Sequence, residues 1–342
     1  MTASSRTAPA SPRDAAADLA DWTPVALDVT AAVPSVDWAD LRGVRFAEPF
    51  FQQTVERWAG GDPQPLVRTG LDALAALDTA PSLDPALFVF HLSRCGSTLV
   101  SRLLSRVPGT LVISEPGPLN TLLLSGPAAI AEAALVPLLR ALVRALGRRR
   151  FDDERRYVLK LSSWNVRRIG LFRRAFPDVP VVWVQRAPDE VMASLLAAPP
   201  GWAALQRLPR ELRSVFGLEP EDAAGDDATF FAAALAAMLR AISDDAGPAL
   251  VLDYRALPDA LWSRVAPLIG LDLDDDAIAS LRDEARFDSK SAGRRLFVRS
   301  DARSDLAEPV RRLVTERLAT LYETVARRPS GVPGRHEEGG KR

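Results

Sequence analysis

The chain has 342 residues, 47% hydrophobic and 25% charged, with a formal net charge of −1. That is enough chain for one substantial core, and the balanced charge excludes the broad basic field that holds nucleic acid or an anionic membrane non-specifically, so any anion site must be local. Cys95 is the single cysteine, which excludes an internal disulfide and a multi-cysteine metal site.

Residues 1–21 are small and polar and lack the apolar run of a signal peptide. They predict a disordered N-terminus on a cytoplasmic protein. No stretch approaches the roughly 20 apolar residues of a membrane span. Residues 22–86, with Trp22, Trp38, the cluster Pro49-Phe50-Phe51 and amphipathic stretches near 48–59 and 69–78, predict a helical lead-in packed on the main domain. From residue 87 to 327 short apolar runs alternate with helical patterns. The runs are 87–92, 110–113, 157–161, 179–184 and 249–253; helices are expected at 97–107, 128–147, 165–175, 188–198 and 229–243, then near 256–268, 274–285 and 308–326. This pattern predicts an α/β fold with three layers, a central parallel sheet flanked by helices, and a ligand at the carboxyl ends of the strands. The tail 328–342 has the composition of a disordered segment.

The most informative segment begins with the strand Phe88-Val-Phe-His-Leu, runs through Ser93-Arg94-Cys95-Gly96-Ser97-Thr98, and enters a helix whose apolar positions are Leu99, Val100, Leu103, Leu104 and Val107. A strand, tight loop and helix in that order aim backbone N–H groups and the positive end of the helix dipole at one point, where a phosphate is stabilised. Gly96 permits close approach, Ser97 and Thr98 add hydroxyls, and Arg94 adds charge. The four-residue spacing and Gly-Lys-Ser/Thr ending of the NTPase loop are missing. A second segment, Val181-Val-Trp-Val-Gln-Arg186-Ala-Pro188, again runs from a buried strand into a helix start, with Ser194 about two turns along. Taken alone, Arg186 also reads as a surface ion-pair partner.

Together the two segments resemble the P-loop sulfotransferases. Arg94, Cys95, Gly96, Ser97 and Thr98 are similar to the family's Pro-Lys-Ser-Gly-Thr-Thr turn, with arginine for the lysine; Arg186, Pro188 and Ser194 match its Arg-x-Pro and downstream Ser. The resemblance implies a P-loop-type fold and a sulfotransferase that uses 3′-phosphoadenosine-5′-phosphosulfate (PAPS) as co-substrate, with no metal. It also implies a loop that holds the 5′-phosphosulfate and an Arg186 and Ser194 that hold the 3′-phosphate. Asp253-Tyr254-Arg255-Ala256-Leu257 is similar to a Tyr-Glu-x-Leu run of the family, with Arg255 in the acidic place, and reads as structural.

An in-line displacement needs a base at the acceptor and cations around the sulfate. Histidine is scarce: His336 lies in the tail, and His91, inside the first strand, reads as a hydrogen-bonded structural ring. Glu115, directly after the second strand, is the better base candidate, with a helix cap or a salt bridge to Arg94 as its alternative. Lys160, one of only three lysines, ends the third strand and is a candidate to meet the sulfate, or else a strand-edge ion pair. Lys290 and Arg294 belong to a polar late loop. Trp202, with Arg207, Arg210 and Arg213 beyond it, lies in a region expected to shape the site of a small-molecule acceptor, whether sugar, phenol, lipid or peptide hydroxyl. The alternatives are an ATP-dependent kinase or NTPase, and a nucleotide-binding protein of this fold without transfer. Oligomeric state is open.

Overall fold

The computed structural model describes residues 19–60, 65–203, 218, 225–289, 295–296 and 306–329. The strands are β1 (Thr23–Asp28), β2 (Ser35–Ala39), β3 (Leu66–Gly70), β4 (Pro85–His91), β5 (Thr110–Ser114), β6 (Arg156–Lys160), β7 (Val181–Gln185) and β8 (Leu250–Asp253). The longer helices are α1 (Phe51–Ala59), α2 (Leu71–Ala76), α3 (Ser97–Ser105), α4 (Gly117–Ala129), α5 (Glu132–Leu146), α6 (Ile169–Ala175), α7 (Pro188–Ala197), α8 (Asp227–Asp244), α9 (Asp275–Glu284), α10 (Glu308–Val314) and α11 (Thr320–Ala326). Five strands form a sheet in the order β5-β6-β4-β7-β8, and its β4–β7 and β7–β8 pairs are parallel. The expected central sheet flanked by helices is therefore present, each strand within about two residues of its expected place. No helix among the described residues is long and apolar enough to cross a membrane.

The chain divides into two compact units, one of residues 1–85 and 105–159, the other of 86–104 and 160–342. In the first, β1, β2 and β3 form an antiparallel sheet. The lead-in thus carries its two expected helices, α1 and α2, and also a sheet that its sequence pattern did not predict. The reason is that β2 is only five residues long, Ser-Val-Asp-Trp-Ala, and its alternation rests on Val36 and Trp38, both fully buried. Trp38 Nε1 donates to Thr69 Oγ1 of β3 at 2.9 Å, which fixes a register no local pattern announces. The helix α4 is a second addition, since Gly117, Pro118, Gly126 and Pro127 read as loop residues. Pro118 falls in the first turn, where a missing N–H costs nothing, and Pro127 only in the last.

In the second unit, β4 buries Phe88 and Phe90 edge-on against Phe172 of α6, with Phe176 on the same cluster. Each such ring contributes about 1.5–3 kcal/mol by leaving water. β7 is buried along its whole length, as expected of an inner parallel strand. The helix α8 is apolar on nearly all sides and is started by Asp226, whose side chain accepts from Thr229 N at 2.8 Å. These buried strands hold the loops at their carboxyl ends on a rigid base.

Candidate anion-binding site

The loop after β4 is shaped by backbone hydrogen bonds at both of its ends. Leu92 N still donates to Val184 O of β7 at 2.8 Å; beyond it the chain turns, and Leu99 N and Val100 N close onto Gly96 O at 2.9 and 3.2 Å to start α3. The first-turn N–H groups of α3 before that closure have no acceptor within the helix. Arg94 and Gly96 both take positive φ, 56° and 87°. Left-handed residues in such a turn bring successive N–H groups to one side. Gly96 is doubly required, because a Cβ there would lie 2.7 Å from Tyr254 Cδ2 and 3.3 Å from Leu257 Cδ1. Arg94 carries a Cβ in this region at a cost of about 1–2 kcal/mol, a strain of the kind that collects at functional sites.

The Arg94 guanidinium is half-buried, donates from Nη2 to Ala198 O, and leaves Nε buried without a hydrogen-bond partner. Burial pulls its pKa down from the usual arginine value. Cys95 is fully buried and faces the core, and Ser97 and Thr98 are buried at the helix start. Trp202 Nε1 reaches Ser93 Oγ at 3.3 Å while its ring packs on Phe230 and Phe231 of α8, with centroids 6.0 and 5.6 Å away. Trp202 thereby joins the core of α8 to the first residue of the loop.

Arg186 emerges at the end of β7. Its Nε donates to Glu190 Oε2 at 2.5 Å, and its guanidinium carbon stands 4.5 Å from the centroid of the Tyr254 ring. The other Glu190 oxygen, Oε1, is 3.7 Å from Arg255 Nη2. Ser194 is one turn beyond Glu190 on α7 and half-buried. The Tyr254 ring therefore touches the Gly96 position on one side and Arg186 on another, linking the two segments that sequence reading singled out separately. Sequence reading missed that role of Tyr254, and the part of Glu190 with it. The available signal was the Asp253-Tyr254-Arg255 run after β8, which the parallel register Gln185↔Asp253 sets beside Arg186.

Lys160 ends β6 with its side chain fully buried, and the next residue pairs with β4, Leu161 N donating to Val89 O at 3.0 Å. His91 is buried with Nδ1 2.9 Å from Leu92 O and Nε2 2.8 Å from Leu161 O, so its ring ties strand ends together. Glu115 belongs to the other compact unit, half-exposed directly after β5, with φ of 52°. Lys290, Arg294, Arg207, Arg210, Arg213 and His336 lie outside the described residues, as do 1–18 and 330–342 of the expected disordered ends.

No protein-family model matches the chain, and no curated protein matches it in sequence. Among solved structures it is similar to a sulfotransferase from Mycobacterium avium, with 16% identity and a TM-score of 0.41 over 75% of this chain and 79% of that one. It is similar to a sulfotransferase from Alicyclobacillus acidocaldarius, with 16% identity and a TM-score of 0.39 over 72% and 98%. A mouse sulfotransferase complexed with PAP gives 12% identity and a TM-score of 0.40 over 74% and 92%.

Proposed function

We propose that this chain is a sulfotransferase that passes the sulfuryl group of PAPS to a hydroxyl or amine of a small-molecule acceptor. One observation carries the reading: two cationic elements stand at the carboxyl ends of the adjacent strands β4 and β7 and meet through the Tyr254 ring. A nucleotide phosphorylated at both 5′ and 3′ positions presents two separate anionic groups, whereas a nucleoside triphosphate gathers its charge on one chain. The residues fit such a ligand. Gly96 lets the Tyr254 ring pack directly on the loop and so ties it to Arg186, Arg94 Nε is a buried donor without a protein acceptor, and Arg186 gives its Nε to Glu190.

PAPS supplies the activated sulfuryl group; the acceptor oxygen or nitrogen bonds to sulfur as the bond from sulfur to the 5′-phosphate oxygen breaks. In this reading Arg94 and the N–H groups of the loop hold the 5′ end, where negative charge builds as the bisphosphate leaves. Arg186 and Ser194 hold the 3′ end, and Lys160 faces the sulfate. Glu115 accepts the acceptor's proton. Its left-handed backbone directly after β5 parallels that of Arg94 after β4, and strain held at two such strand ends supports a functional assignment for both.

The test is thermal stabilisation by mass action. Adenosine 3′,5′-bisphosphate is expected to raise the midpoint more than ATP with Mg²⁺ at equal concentration, and transfer of radiolabelled sulfate from PAPS to a panel of hydroxyl acceptors is expected to follow. A larger response to ATP would replace this reading with a kinase or NTPase, and binding without transfer would leave a nucleotide-binding protein.

A further inference from the structure

The turn that follows β6 ends in two arginines, and the helix packed against it adds a third. Residues Ser163–Arg168 form a 3₁₀ turn that buries Ser163, Trp164, Asn165 and Val166 and leaves Arg167 and Arg168 as its last two residues. α8 packs against this turn. Its sequence is almost wholly apolar, and Arg240 is the one charged residue between Asp227 and Asp244. Arg167 and Arg240 are exposed and Arg168 is half-buried. The three guanidiniums are close enough to feel one another. Partial burial first, and then the charges of Arg168 and Arg240, hold Arg167 below the usual arginine value, with no carboxylate among the described residues opposing them.

Like charges repel, and nothing in the surrounding protein compensates these three. Among the described residues the side chains of Arg168 and Arg240 make no hydrogen bond or ion pair, and Arg168 Nε is buried without an acceptor. The helix dipole does not hold Arg240, which stands before the last turn of α8. Asp244, one turn beyond Arg240, is the nearest acid along the helix, and Asp245 after it is held by Arg173 at 2.8 Å. Counting Asp244 against the three arginines leaves a charge of +2. The group is also separate from the strand-end site. Residues 245–249 join the end of α8 to the amino end of β8, the opposite end of that strand from Asp253, so Arg240 sits toward the amino edge of the sheet.

We propose that Arg167, Arg168 and Arg240 form a second anion site, which takes a doubly charged tetrahedral oxyanion: a phosphate or sulfate group, free or as the terminal ester of a larger molecule. This goes beyond the sulfotransferase reading and does not depend on it. A phosphate group carries about −1.5 to −2 charges near neutral pH and has at least three acceptor oxygens, which suits three guanidiniums with a charge of +2. The buried Arg168 Nε is a donor already stripped of water, so an oxyanion that reaches it gains a bond without displacing another. A chloride ion offers one charge and no set of oxygens for the guanidinium forks.

The experiment follows the thermal midpoint of wild type, Arg240→Ala, Arg240→Lys and Arg168→Ala in sodium phosphate up to about 10 mM, against sodium chloride of equal ionic strength. Wild type is expected to gain about two degrees more in phosphate than in chloride. Arg240→Ala and Arg168→Ala should each lose at least about half of that excess, and Arg240→Lys should keep part of it, since lysine returns the charge without the fork. Anion binding at the β4 loop and general salting effects are common to wild type and Arg240→Ala, so they cancel in the difference. In chloride the Arg240→Ala midpoint should not fall, because an exposed cation is removed from two like charges. Glycerol 3-phosphate separates the sources: a response to inorganic phosphate alone identifies the free ion, and an equal response to the ester identifies a terminal phosphate. No excess in wild type would overturn the proposal, as would an excess that Arg240→Ala leaves intact. A lower Arg240→Ala midpoint in chloride with the phosphate excess unchanged would make Arg240 a structural residue and overturn it too. Failure of the sulfotransferase reading, seen in nucleotide binding, would leave each of these outcomes as it stands.

Discussion

Arg148 and Arg150 of the first compact unit are 2% and 7% exposed, and their acceptors are mostly backbone carbonyls. Arg148 Nη1 donates to Leu19 O and, at 2.7 Å, to Trp22 O. Arg150 donates to Arg148 O at 2.7 Å, Thr23 Oγ1 at 2.9 Å and Leu146 O at 3.1 Å. Their guanidiniums lie over Trp38 and Phe46, at 5.7 and 4.6 Å from the ring centroids. Arg186 and Arg255 of the second unit instead flank a carboxylate at the end of parallel strands, beside a loop shaped for an anion. The first pair fastens chain segments together through these carbonyls, although Arg148 Nε and Nη2 and Arg150 Nε lie buried without a hydrogen-bond partner. The second pair holds its charge beside a carboxylate at the ends of adjacent strands. Sequence alone shows four arginines; their acceptors, carbonyls for one pair and a carboxylate for the other, set the pairs apart.

The largest break in this comparison would come from Glu115, the one catalytic assignment made in the first unit. Glu115→Gln preserves shape but removes the base, so turnover should fall about 10²–10⁴-fold while bisphosphate affinity survives. Turnover and affinity measured on one preparation decide the matter. Near-normal turnover would confine the chemistry to the second unit and move attention to His91, although its ring is already engaged by two carbonyls.

Next in size is Arg150→Ala. It strips the donor from Thr23 Oγ1 and two buried carbonyls and empties a buried volume, and should cost about 3–5 kcal/mol in urea unfolding with nucleotide affinity unchanged in the protein that remains folded. A loss of nucleotide binding at preserved stability would contradict the division drawn above. Arg186→Ala should do the reverse. Affinity for the 3′-phosphorylated nucleotide should drop by about 1.5–3 kcal/mol while the 3′-hydroxyl analogue is little affected.

The parts of this picture that were legible in the sequence are those with local causes. Each run of the five-stranded sheet is apolar and bounded by turn residues, and the loop from Ser93 to Thr98 and the Arg186-to-Ser194 segment each announce a strand entering a helix. What was not legible depends on pairing between distant residues. Trp38 meets Thr69 across 31 residues, and Arg186 lies beside Tyr254 only through the register of β7 with β8. Glu190 was visible as an acidic helix start, but its bond to Arg186 requires the strand-to-helix turn between them. Gly and Pro hid α4, because composition cannot distinguish a proline in the first or last turn from one that breaks a helix.

The smallest expected effect tests how sealed the first unit's arginine cluster is. Tyr157 is fully buried on β6, and its hydroxyl lies without a hydrogen-bond partner. Burial pushes the phenol well above its usual value, an effect that the nearby Arg150 charge only partly opposes. With the folded-state pKa raised, the ionisation of Tyr157 leaves stability unchanged well below pH 10. Above it, the unfolded chain gives up a proton that the folded chain keeps, so stability falls as pH rises. At pH 10.5 the loss from one such group is about 0.8 kcal/mol relative to neutral pH, taking an unfolded value near 10. Tyr157→Phe removes this term together with a buried hydroxyl that makes no bond, so the variant should be at least as stable as wild type at pH 7. Urea unfolding of both proteins from pH 8 to 10.5 should then show the variant gaining on wild type only above about pH 9.5. Parallel pH profiles would mean that water reaches the Tyr157 hydroxyl, and the buried cluster would then resemble the solvent-facing arginines of the second unit more closely than the comparison allows.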